Sequence, residues 1–130
     1  MRTMRCVTAL AVMTAMFSGS ADAADCLKAN APSQVAEGRL RLVKISTPAY
    51  NRRDDAYILT LRSPACLDGE DFDKVEKTER IHVFSTDAAM LKRLKSFDGK
   101  SVRVTGSAFG EHTAHHHAPI VMSLETIEPR

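Results

Sequence analysis

Apolar residues recur along this chain with two distinct periods. From Val35 to Ser46, Leu40 and Leu42 alternate with Arg39 and Arg41, after which Val43 and Ile45 take up the opposite parity. A period of two predicts a strand, and the parity change predicts a bulge or burial on both faces. Thr47–Asp55 is a loop by composition. Ala56–Arg62 reads as a second strand with Tyr57, Leu59 and Leu61 on one face, and Pro64 is expected to end it because proline cannot donate to a ladder. Leu67–Glu79 is acidic and mixed and reads as a long loop. Arg80–Phe84 is a third strand, with Ile81 and Val83 facing in and His82 on the outer surface. The period then changes to 3.6. Met90, Leu91, Leu94 and Phe97 form one stripe, Ser85-Thr86-Asp87 offers caps, and Asp98-Gly99 offers a stop, so a helix is predicted over Asp87–Phe97. Lys100–Phe109 is a fourth strand bent at Gly106, and Ile120–Glu128 is a fifth.

The order β-β-β-α-β-β predicts an all-β fold with one helix, a five-stranded OB-like barrel. In such barrels the first–second and fourth–fifth strand connections flank the binding face. Here those loops are Thr47–Asp55 and Gly110–Pro119.

The start of the chain follows neither pattern. Arg2 and Arg5 precede an uncharged run from Cys6 to Phe17, and Ala21-x-Ala23 follows as a small-residue cleavage signal. This predicts a signal peptide over residues 1–23 and one OB-like domain over 24–130. The run is too short to span a bilayer, so no stable membrane insertion is expected after cleavage. The protein is expected to be exported, to the periplasm. Only Cys26 and Cys66 then remain, and an oxidising compartment favours their pairing.

Removing the signal takes away two of 18 basic and one of 16 acidic residues, leaving a net charge of +1. That balance, with 5% aromatics and no Trp, excludes nucleic acid as the expected partner. No Gly-x-Ser-x-Gly elbow or H-E-x-x-H helix occurs, and the cysteines are assigned to each other, so no catalytic residue is named. The Asp68–Asp73 acidic run lacks the calcium-loop spacing.

The sharpest feature is Gly110-Glu111-His112-Thr113-Ala114-His115-His116-His117-Ala118-Pro119, which holds four of the five histidines. Neutral imidazole suits zinc or copper. An extended backbone would put His115 and His117 on one side, with His112 folding back as a third ligand and Glu111 supporting it. Alternatively, the rings bond backbone and neighbouring side chains and pin the loop. His112, Thr113 and His116 from this loop, with Tyr50 and Arg52 from the first loop, are the candidate ligand contacts. Asp54-Asp55 beside Arg52-Arg53 neutralises those cations locally.

Several segments together resemble a bacterial secreted family known as domain of unknown function 4431. They are Gly38-Arg39-Leu40, Pro48-x-Tyr50, Leu59-x-Leu61-x-x-Pro64-x-Cys66, Val102-x-Val104-x-Gly106, and His112-Thr113-x-His115-His116-His117-x-Pro119-Ile120-Val121. The resemblance spans about residues 36–128. The chain departs from the family in its short Ser46–Ala49 stretch and in Ala118, where family members tend to carry threonine. The resemblance implies secretion and singles out the histidine loop, but it implies no chemistry. The expectation is therefore an exported, non-enzymatic binding module for a small ligand or a periplasmic protein, with a possible zinc or copper ion. The alternatives are a metal-dependent hydrolase using the same histidines and an inhibitor- or immunity-type protein.

Overall fold

The computed structural model describes residues 25–130, so the expected signal peptide lies outside the described residues. Six strands and one helix follow in order: β1 (Leu27–Lys28), β2 (Gln34–Thr47), β3 (Arg52–Asp68), β4 (Val75–Phe84), α1 (Ala88–Ser96), β5 (Ser101–Gly110) and β6 (Ile120–Pro129). The sheet order β1-β3-β2-β5-β6-β4 closes through a further β3–β4 pairing. All long pairings are antiparallel except β4–β6. Five long strands thus form the closed OB-like barrel, with the helix between the third and fourth of them.

Alternation fills the barrel. Leu40, Leu59, Ile81, Val104, Ile120 and Met122 are completely buried. Leu94 is the one fully buried residue of α1. Leu91 was assigned to the same stripe, but it is 43% exposed, because a nine-residue helix lying on a barrel end turns only a narrow face inward. Asp87 caps the helix by accepting from the Met90 N–H at 2.9 Å. Gly99, at φ +83°, turns the chain into β5 in a conformation other residues rarely adopt.

Two strand limits differ from the sequence reading. β3 runs through Pro64, because its pairing with β4 shifts register between Thr60 and Ala65, and a missing N–H costs no ladder bond there. β4 begins at Val75 rather than Arg80. Its first half is mostly charged and exposed on the outside of the barrel, so its alternation is masked. The parity change in β2 is not a bulge, since pairing with β3 runs unbroken from Gly38 to Thr47. Beyond Tyr57↔Val83, the last β3–β4 pair toward the hairpin, β2 and β3 pair only with each other. They form a two-stranded arm, and Ile45 and Ala56 on one of its faces, with Ile58 at its root, pack against Ala118.

Cys26 and Cys66 are disulfide-bonded, with sulfurs 2.06 Å apart. The bond lies beside the parallel pairing of Leu27 with Leu67 and fastens the N-terminal segment to the end of β3. Closing a loop of sequence separation 40 restricts the unfolded chain by ~4 kcal/mol in the loop-entropy model. Cys26→Ser is therefore expected to lower stability by a few kcal/mol in denaturant titrations, and protein prepared without residues 1–23 should show no free thiol. Leu94→Ala should cost about 2–5 kcal/mol, because it leaves a cavity between helix and barrel; a loss near zero would contradict the packing.

Candidate functional site

The β5–β6 loop folds down over the outer wall of the barrel and grips the arm. The Glu111 N–H donates to the Pro119 carbonyl at 3.0 Å, closing the base of the loop. Gly110 sits where a Cβ would collide with the Phe72 carbonyl, so only glycine lets the 3₁₀ turn Asp71–Asp73 pass that close. The Gly110 N–H donates to Asp73 Oδ1 at 2.8 Å.

On the arm side, two imidazoles meet one carboxylate. His117 Nε2 donates to Asp54 Oδ2 at 3.2 Å, and His115 Nδ1 lies 3.8 Å from Asp54 Oδ1. Arg52 joins them, with Nη2 3.0 Å from Asp54 Oδ2 and donating to the Ala114 carbonyl at 2.9 Å. Partial desolvation works to raise the pKa of Asp54. The hydrogen bonds from His117 and Arg52, with the charges of Arg52 and His115, outweigh it and hold the carboxyl below its ordinary range.

On the barrel side, His112, His116, His82, Phe72 and Phe109 form a ring cluster. His112 lies 4.8 Å from Phe72 and 4.8 Å from His116, and His116 lies 5.4 Å from Phe109. His112 Nδ1 donates to the Gly110 carbonyl at 3.0 Å, which leaves the proton off Nε2 in the neutral ring. The His112 N–H donates to His116 Nδ1, and the His117 N–H donates to His82 Nδ1, both at 3.2 Å. Two loop amides thus depend on imidazole lone pairs. Burial lowers the pKa of His82 to about 4, with the charges of His117 and His116 adding to it. Burial also lowers that of His116, helped by His112.

The sequence-named residues therefore divide. His115 and His117 do lie on one side, but His112 faces the ring cluster with His116, away from Asp54. The expected convergence of His112, His115 and His117 on one metal is not what the geometry forms. Among the described residues no three His, Cys, Asp or Glu side chains are arranged to hold a metal ion. The physical reason is local. The extended backbone expected for this segment is broken where the Thr113 carbonyl accepts from His116 N–H. Thr113 Oγ1 likewise accepts from His115 N–H at 3.3 Å. Tyr50 stands 72% exposed at the tip of the arm, away from the rings, and Arg52 is spent on Asp54 and Ala114 rather than on an incoming anion.

Sequence reasoning passed over His82, which it placed on the outer surface, and Asp54, which it used only to neutralise arginine. The parity of His82 is indeed outward, opposite to Ile81 and Val83, but the loop covers that face and leaves the residue only 8% exposed. Phe72 was also missed. It lies in the acidic stretch read as a loop, and it lines a hollow of about 460 Å³ together with Glu111, His112 and Thr113.

The profile of the domain of unknown function family DUF4431 matches residues 80–128, from within β4 to the end of β6. The chain resembles that family over a narrower span than its motifs suggest, and the histidine loop lies inside it. No curated protein matches the chain. Among the described residues no helix is long and apolar enough to cross a membrane.

The two imidazole acceptors make the clasp sensitive to acid. The pKa of His82 is depressed in the folded protein, so unfolding takes up protons and stability falls as pH drops. Its contribution is complete above about 6.5 and is lost toward about 4. His116 shifts in the same direction. Melting temperature is expected to be flat near neutrality and to decline between those values, and His82→Gln should flatten that decline. An unchanged decline in the variant would show that His82 carries none of it.

Proposed function

We propose that this protein is an exported, non-enzymatic binding module whose ligand seats in the hollow beside the histidine loop. Three features favour export: the residue 1–23 pattern, the disulfide, and the resemblance to a secreted family. The observation that carries the binding reading is how the hollow is built. Phe72, 55% exposed, faces the His112 ring, whose Nδ1 is fixed on the Gly110 carbonyl so that its Nε2 is presented in one orientation. A ring held before binding loses little entropy when a ligand arrives. Aromatic faces with one oriented polar atom suit a flat ligand carrying one hydrogen-bonding group. No metal is needed in this reading. Asp54, the nearest carboxylate to His115 and His117, is engaged by Arg52, which a cation there would have to displace.

The test is a titration of ¹⁵N-labelled protein with flat heteroaromatic fragments such as indole. Amide shifts are expected at Phe72 and from Gly110 to Ala114, and Phe72→Ala should weaken binding roughly tenfold, the loss of one stacked aromatic partner. Shifts elsewhere, or equal binding by the variant, would overturn the reading. In parallel, zinc and copper should give equal, weak heats with the wild type and with His115→Ala/His117→Ala. Tight binding lost in the double variant would return the loop to metal chemistry.

A further inference from the structure

The β2–β3 hairpin projects past the barrel, and its tip lies outside the hollow at Phe72. Beyond Tyr57↔Val83 its two strands pair only with each other. The tip is the 3₁₀ turn Pro48–Tyr50, whose three residues are uncharged and exposed, Tyr50 most of all at 72%. Its shape is fixed before any contact. Pro48 starts the turn, Asn51 ends it at φ +46°, and the Asn51 N–H donates to the Pro48 carbonyl at 3.1 Å. An exposed ring held on a closed turn loses little freedom when it is covered.

Positive charge gathers behind this tip. The paired span Gly38–Leu61 holds five basic residues, Arg39, Arg41, Lys44, Arg52 and Arg53, against Asp54 and Asp55, a net of +3. Residues 24–130 as a whole sum to +1, so the remainder stands at −2. Asp54 is already answered by Arg52 and His117. Arg41, Lys44 and Arg53 form no ion pair among the described residues. Arg53 follows Tyr50 by three residues, and Lys44 lies four residues before the turn, about 13 Å back along the strand.

An uncharged tip with cations set behind it matches the layers of an anionic bilayer, whose charged headgroups lie outside apolar chains. A tyrosine ring suits the boundary between those layers, with its apolar body toward the chains and its hydroxyl toward water. Basic side chains behind it meet the anionic headgroups, and they do so while still exposed to solvent, so no closed pocket is required. From this complementarity we infer that the hairpin tip docks on an anionic lipid surface, with Tyr50 seated at headgroup level and Arg53 and Lys44 among the phosphates. The attachment is peripheral and reversible, because one ring and a few cations bury far less apolar surface than a spanning segment. It leaves the ligand hollow open, since Phe72 and the β5–β6 loop line that hollow and the hairpin does not.

The test is co-sedimentation of protein prepared without residues 1–23 with two kinds of vesicle, phosphatidylcholine alone and phosphatidylcholine with phosphatidylglycerol in equal parts. Binding is expected to the anionic vesicles only, and to fall as salt rises, because exposed charges are screened. Arg53→Gln should weaken it about fivefold, the share of one cation near such a surface. Lys28→Gln, beside Asp68 at the other end of β3 from the tip, should leave it unchanged. The chain has no tryptophan, so Tyr50→Trp provides a single reporter whose emission should shift to the blue on anionic vesicles. Unchanged melting temperatures establish that the variants are folded. Equal binding to both vesicles, binding to neither, no blue shift, or an equal loss with Lys28→Gln would overturn the inference. A lipid-independent dimer lost in Tyr50→Ser would also overturn it and assign the tip to a second copy of the chain. Binding of soluble polyphosphate with no vesicle bound would overturn it in favour of a dissolved polyanion.

Discussion

The carboxylate of Asp54 holds the loop architecture together. It sits on the projecting β2–β3 arm, where the barrel no longer braces the strands. Through Arg52, His115 and His117 it binds the arm to the β5–β6 loop. These contacts differ in weight. The His117 bond joins two side chains that are both well sheltered, whereas the His115 contact is long and 67% exposed on the histidine side, so solvent screens it. His117 and Arg52 are therefore the main fasteners, and Ala118 completes the contact by closing over Ala56 and Ile58. A charged knot and an apolar patch on adjoining faces of one loop fix its position better than either would alone.

Once the loop is placed, the histidines divide by which nitrogen is engaged. His112 donates from Nδ1, His117 donates from Nε2, and His82 and His116 accept at Nδ1. Two rings serve as acceptors for backbone amides that would otherwise be unsatisfied at a covered surface. Protonation removes those lone pairs, so a cluster that resembles a ligand set behaves as an acid-labile clasp.

The barrel beneath is small, and its stability is drawn from closure, a core of branched aliphatic residues and a covalent tie at the N-terminal end. The disulfide and the clasp act at separate places. One anchors the segment entering the barrel, and the other anchors the arm leaving it. The middle of the wall, where β4 and β6 run parallel, joins strands that the chain connects only through α1, β5 and the loop.

Much of this was legible along the chain. Alternation at Leu59–Leu61, Ile81–Val83 and Val102–Val104, the helical stripe through Leu94, and two cysteines determined the strand order, the helix and the disulfide, because each is a local pattern or a choice of one partner. The resemblance to the DUF4431 family was legible from the histidine motif, which the matched span contains. The start of β4 was not legible, since its charged residues face solvent and mask the period. Nor was the continuation of β3 through Pro64, which depends on a register shift that only the partner strand defines. The burial of His82, the pairing of His117 with Asp54 and the separation of His112 from His115 all required the loop to fold back across residues far away in sequence. Parity told which way His82 points, and only tertiary structure decided that something would be there to cover it.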